Sequence, residues 1–182
     1  MVQIAPVDVT SYNAFMGHTE HEAISPKTVN VAVVTVSDSR TVDTDESGRL
    51  IKERLMGAGH NVNSYHLLKN DKVKLRALMT DLISVQDVDA VIITGGTGLS
   101  GKDITVETVT PTFDKTMDGF GELFRSLSYQ EIGPAAVLSR AIGGVSGRKV
   151  ILCLPGSTAA VKLAMEKIII PALPHMVREA TR

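Results

Sequence analysis

Four short stretches hold the residues able to do chemistry. The first is Thr35-Val36-Ser37-Asp38-Ser39-Arg40, with Asp43 and Asp45 beyond it. The second is Lys69-Asn70-Asp71, and the third runs Thr94-Gly95-Gly96-Thr97-Gly98-Leu99-Ser100-Gly101-Lys102-Asp103. The fourth is Leu154-Pro155-Gly156-Ser157. In the third, Gly95, Gly96 and Gly98 let the backbone take positive φ and bring N–H groups close to an anion. Lys102 adds charge, and Asp103 offers the hard oxygen that Mg²⁺ takes when it bridges phosphates. The plainer reading of the same residues is a tight turn followed by an N-capping Asp. Asp103 and Glu107 stand at i and i+4, on one face if a helix starts there. The spacing matches neither the Walker loop nor the dinucleotide fingerprint. In the fourth stretch Ser157 is placed to cap a helix, and helix N-terminal amides also hold phosphate. Those two readings are compatible.

These stretches need elements to position them, and each follows a predicted strand. Val29–Val36 is a near-continuous β-branched run suited to a strand covered on both faces. Val62–Leu68 and Ala90–Thr94 read as strands, and Ala141–Val145 and Lys149–Leu154 as two more around a Ser146-Gly147 turn. Helices are expected over Ser47–Ala58, over Lys72–Val85 with a stripe of Leu75, Leu78, Leu82 and Val85, and around Phe120, Leu123, Phe124 and Leu127. A last helix spans Ser157–Ile170, with Pro171 and Pro174 breaking it before a short terminal segment. Strand–helix alternation argues for a mostly parallel sheet with helices on both faces. Ligands in such sheets bind beyond the carboxyl ends of the strands.

The chain has 182 residues, read as an extension over residues 1–26 and one domain over 27–182. His18 and His21 in the extension form an H-x-x-H pair, but two further zinc ligands are not visible; a polar tail or an arm docking on a neighbouring subunit is the better reading. With 19 basic and 20 acidic residues the net charge is -1, which gives no footprint for nucleic acid. No apolar stretch is long enough for a membrane span, and no signal peptide is expected. The single cysteine, Cys153, lies in an apolar run and reads as a buried small hydrophobe. Cysteine scarcity fits a reducing, cytoplasmic setting.

Several motifs, taken together, resemble the molybdopterin-binding family. They are Thr35-Val36-Ser37-Asp38; Thr94-Gly95-Gly96-Thr97-Gly98 followed by Asp103 and Thr105; Gly119-Phe120-Gly121-Glu122 with Arg125; Leu138-Ser139-Arg140; and Leu154-Pro155-Gly156-Ser157. They occur in family order from about residue 29 to 175, and the Gly143–Ser157 region and the length resemble the biosynthesis protein B type more than the adenylyltransferase type. The resemblance implies a three-layer α/β/α sandwich with a mostly parallel central sheet, assembled as a homotrimer or hexamer. It implies a molybdopterin ligand and, in active members, transfer of AMP from MgATP to the terminal phosphate of molybdopterin. By position, Ser139 and Arg140 would contact the pterin or its phosphate, and Ser37, Asp38, Gly121 and Glu122 belong to the same binding set. Thr94, Gly95, Gly96, Thr97 and Gly98, with Pro155, Gly156 and Ser157, would hold nucleotide phosphates, and Asp103 the metal. Active members carry a second acid after the second strand; here that position is Asn70, with Asp71 adjacent. Two readings stay open: a Mg-dependent adenylyltransferase using Asp103 with Asn70 or Asp71, and a silent molybdopterin-binding or scaffold protein of the same pathway.

Overall fold

In the computed structural model, which describes residues 25–182, the β-branched runs form the centre of one six-stranded sheet. The histidine pair at 18 and 21 lies outside the described residues. Strands β1 (Asn30–Val36), β2 (Asn61–Leu68), β3 (Ala90–Thr94), β4 (Lys115–Thr116), β5 (Ile142–Ser146) and β6 (Lys149–Leu154) take the order β2-β1-β3-β6-β5-β4. The first four in that order are mutually parallel; β5 runs antiparallel to β6, and β4 at the edge runs antiparallel to β5. Strands β3 and β6 are buried throughout, which is why their sequences are continuous apolar runs rather than alternating ones. The edge strand β2 is only half-buried.

Successive side chains of a strand point to opposite faces, so each central strand feeds two cores. Val31, Val33, Ile92 and Leu152 face one layer of helices: α1 (Glu46–Gly57), α4 (Asp118–Ile132), α5 (Thr158–Ala164) and α6 (Ile170–Thr181). Ala32, Val34, Val91, Ile93, Ile151 and Cys153 face α2 (Lys72–Ser84) and the short α3 (Thr105–Val109). The expected α/β/α sandwich is therefore present, with helices on both sides of a mostly parallel sheet. Cys153 is fully buried, and burial pushes its thiol pKa up, as an inert core residue should show.

Some local expectations need correcting. The buried stripe of α2 is Leu75, Met79 and Leu82; Leu78 is only partly buried, and Val85 sits past the helix end in extended backbone, exposed. In α4, Phe120 and Phe124 are buried while Leu123 is exposed. Pro171 and Pro174 do not end the last helix. A π turn over Met165–Ile169 joins α5 to α6, which runs on to Thr181 with Pro174 inside it. The π turn lets the ladder restart, so Pro171 falls in the first turn of α6, where its missing N–H costs little. The hairpin between β5 and β6 turns on Gly147 and Arg148, at φ 54 and φ 66, the left-handed pair that two-residue hairpins prefer.

Candidate functional site

Strands β1, β3 and β6 end level with one another: Thr35 pairs with Thr94, and Thr94 with Leu154. The loops after them leave the sheet side by side and wall a cleft of about 490 Å³. It brings together Ser37 and Asp38 after β1, Asn70 after β2, Thr94 to Gly98 and Asp103 after β3, and Pro155 and Gly156 after β6. Ser139 joins from the segment leading to β5. Arg40 and Asp45, which the first stretch contains without a role assigned to them, also line it, as does Ser47, placed by the sequence only at the start of a helix.

Hydrogen bonds tie these loops into one frame. Thr94 Oγ1 donates to Pro155 O at 3.0 Å, and Ser47 Oγ donates to Gly156 O at 2.9 Å. Thr105 Oγ1 donates to Gly95 O at 2.8 Å, and the Thr105 amide donates to Gly96 O at 2.8 Å. Gly95 has φ +89, and a Cβ there would sit 2.2 Å from Val36 O. Gly96 has φ +62, and a Cβ there would meet Thr105 Oγ1 at 2.5 Å and Asn70 Oδ1 at 2.7 Å. Any side chain at either place would displace the loop.

The acids of the site are held in different ways. Asp38 Oδ1 accepts the Asn70 amide at 3.0 Å, and this bond, with Lys102 and Lys69 nearby, holds its carboxyl below the ordinary value. Asp45 is buried, which alone would raise its pKa, but hydrogen bonds from Thr35, Tyr65 and the Gly48 amide more than offset that and lower it. Tyr65 in turn is pushed up to about 12 by burial and by Asp45. Asp103 Oδ2 accepts the Ser100 amide at 3.0 Å, so it closes its own loop instead of capping α3, whose N-cap Ile104 makes no side-chain bond. Asn70 Oδ1 is buried and has no hydrogen-bond partner among the described residues.

Other residues of the expected set are placed elsewhere. Asp71 caps α2, accepting the amides of Val73 and Lys74 at 3.0 Å each, and does not line the cleft. Ser157 caps α5 through the Ala160 amide at 3.3 Å and likewise does not line it. Arg140 donates to Gly98 O at 2.9 Å and pairs with Glu107, whose carboxyl it holds below the ordinary value. Gly121 and Glu122 line a second cavity of about 370 Å³, together with Arg125 and Ala141. Among the described residues no group of three His, Cys, Asp or Glu side chains forms a metal centre.

Residues 32–175 match a family profile described as "Probable molybdopterin binding domain". The chain is 48% identical over 168 residues to molybdenum cofactor biosynthesis protein B of Bacillus cereus, covering 92% of this chain and 99% of that one. It is similar to a crystal structure of a molybdenum cofactor biosynthesis protein B, with TM-score 0.82, 49% identity and coverage of 86% and 98%. It is also similar to the tungsten cofactor synthesizing protein MoaB of Pyrococcus furiosus, with TM-score 0.78, 39% identity and coverage of 87% and 100%. With family motifs gathered at the carboxyl edge of the sheet and matches over most of its length, this chain belongs to the molybdopterin-binding domain family.

Proposed function

We propose that this protein works in molybdenum cofactor biosynthesis in the cytoplasm, binding molybdopterin and transferring AMP from MgATP to its terminal phosphate. The observation that carries this reading is the convergence of the Gly95–Gly98 loop, Asp103, Asn70 and the Pro155-Gly156 turn on one cleft at the strand ends. Its size lies in the range of small-molecule sites. No helix is long and apolar enough to cross a membrane among the described residues.

The reaction asks little acid–base chemistry of the protein. A terminal phosphate oxygen of molybdopterin attacks the α-phosphorus of ATP; the bond from that phosphorus to the bridging oxygen breaks, and pyrophosphate leaves. The nucleophile is already ionised, so catalysis reduces to aligning two anions and offsetting the charge that develops. Backbone amides of the glycine loop, with Lys102 and Lys69 near the Asp38 side of the cleft, suit that task. The oxygen donors fit a phosphate-borne Mg²⁺, which needs one or two carboxylates and takes its remaining ligands from phosphate and water. Asp103 and the unpartnered Asn70 Oδ1 would hold it, and bound there it would supply positive charge to the phosphates.

Asn70 also favours a second reading, a protein that binds molybdopterin without turnover, because an amide supplies a dipole where a carboxylate would supply charge. The engagement of Asp71 Oδ1 with the α2 N-terminus supports Asn70 over Asp71 as the residue at this place. The test is incubation with molybdopterin and MgATP, assayed for adenylated product. Turnover is expected, reduced about 10²–10³-fold in Asp103→Asn and raised in Asn70→Asp. If neither wild type nor Asn70→Asp makes product while both bind molybdopterin, the protein is a binding member and not an enzyme.

A further inference from the structure

The charge of the main cleft is not balanced by the residues assigned to it so far. Three carboxylates line it, Asp38, Asp45 and Asp103, yet the ligands proposed for it are polyanions. Arg40 is the one Lys or Arg among the described residues that lines it; Lys69 and Lys102 stand near Asp38, outside the wall. The Arg40 side chain is half-buried, and no carboxylate of the described residues lies within ion-pair distance of its guanidinium. Asp45 is already engaged by Thr35 Oγ1, Tyr65 Oη and the Gly48 amide.

The chain holds this arginine at both ends. Its amide donates to Ser37 Oγ at 3.3 Å, and its Nη1 donates to Thr44 O at 2.9 Å. The turn that supplies Thr44 closes without it: the Thr41 amide donates to Thr44 Oγ1 at 2.8 Å, and the Thr44 amide to Thr41 O at 3.1 Å. The turn therefore orients the guanidinium and does not depend on it. A guanidinium carries several N–H donors in a planar fork, so the bond to Thr44 leaves others for a bidentate partner. Phosphate oxygens match that fork.

Adenylyl transfer needs such a cation at one moment above all. When the bond from the α-phosphorus to the bridging oxygen breaks, the electron pair stays on that oxygen, and pyrophosphate carries the new charge away. Beside three carboxylates that charge would be repelled unless a donor meets it. Asn70 keeps a fourth carboxylate out of the cleft, so less of the positive charge of Arg40 is cancelled. We infer that Arg40 is a catalytic residue that receives the pyrophosphate leaving group, donating hydrogen bonds to its oxygens as their charge develops. A guanidinium does not give up its proton in proteins, so none moves. The inference rests on the proposed adenylyl transfer and adds to it the side chain that takes the leaving group.

Calorimetric titration of the full chain with inorganic pyrophosphate tests the assignment without turnover. Wild type should bind it saturably, and Arg40→Met at least about tenfold more weakly, the scale of one lost bidentate charge-assisted contact. Arg40→Lys should fall between them, because an ammonium restores the charge but not the fork. AMP, which lacks the leaving phosphates, should bind all three alike. Arg49→Met, which removes an exposed charge that does not line the cleft, should bind pyrophosphate as wild type does. In turnover, Arg40→Met should lower kcat about 10²–10³-fold, with a smaller change in KM for ATP. A merely structural Arg40 would instead lower the melting temperature and weaken AMP and pyrophosphate together. That outcome, pyrophosphate binding equal in wild type and Arg40→Met, or none in wild type, would overturn the inference; the proposed function stands if wild type still makes adenylated product. If wild type makes no such product, both fall.

Discussion

Asp45 shows how an acid can serve a cleft without being one of its reagents. It sits just before α1, where its Oδ2 accepts from Thr35 Oγ1 at 2.6 Å and Tyr65 Oη at 2.7 Å, and its Oδ1 accepts the Gly48 amide at 3.1 Å. Lys52 lies over the Tyr65 ring at 4.2 Å. This network fastens the first loop to β1 and β2, and so fixes where Ser37 and Asp38 stand. Asp45→Asn keeps the shape but puts an N–H₂ group where a hydroxyl now donates; it should cost about 1–3 kcal/mol, the range for a buried polar group left mismatched. The pH dependence follows from the lowered pKa. The folded carboxyl is more acidic than its ordinary 3.8, so its contribution is full above about that pH and is lost as pH falls through the folded value. Urea unfolding at neutral pH and near pH 3 should therefore show the gap between wild type and Asp45→Asn shrinking in acid. A constant gap would remove Asp45 ionisation from the account.

At the scale of elements, the loop after β3 depends on backbone geometry more than on side chains. Gly95 donates its amide to Leu154 O at 3.1 Å while lying against Val36 O, which binds three strand ends together. Gly95→Ala meets both a positive φ and a backbone oxygen, neither of which yields cheaply. A loss of at least about 1–3 kcal/mol is expected from the backbone strain, together with weakened molybdopterin binding. Gly101 belongs to the same loop, yet a Cβ there meets nothing within 4 Å. Gly101→Ala should stay within about 0.5 kcal/mol in the same denaturation experiment. Equal effects of the two substitutions would show that the loop responds to chain entropy and not to steric fit.

Across the whole molecule, the feature that the monomer leaves unexplained is an apolar surface on α4 and the 3₁₀ segment Gly133–Leu138. Tyr129, Ile132, Val137 and Leu138 are exposed there, Val137 by 80%. Leu138 also lines the first cleft, so a neighbour seated on this face would border the site. A second copy of the chain is the expected occupant, in keeping with the homo-oligomer that the family resemblance implies; apolar patches of this kind mark association surfaces. Light scattering should give a multiple of 19.5 kDa, trimer or hexamer, and Val137→Lys should shift it toward the monomer. A wild-type monomer at micromolar concentration would sink this prediction.

Periodicity along the chain was enough to place five of the six strands and the main helices on both faces, though not the two-residue β4, because strand and helix spacing report directly which side chains must be buried. The glycine-rich loop and the Pro155-Gly156 turn could be read for the same reason: few residue types tolerate their backbone. Only the tertiary structure decided what each neighbouring polar residue does. The Ser157 cap was legible in the sequence, but the structure turned Asp71 to a helix end and gave Arg140 to Glu107 and the Gly98 carbonyl. It drew Asp45, ten residues from Thr35 and twenty from Tyr65, into one buried network, and it separated Gly121 and Glu122 from the main cleft. It also carried the last helix through two prolines by way of a π turn. The Arg140 and Asp45 contacts join residues far apart in the chain, where direction and distance are set by packing and leave no spacing rule in the sequence to read; the Asp71 cap and the π turn are local, but their alternatives were equally compatible with the sequence until packing chose between them.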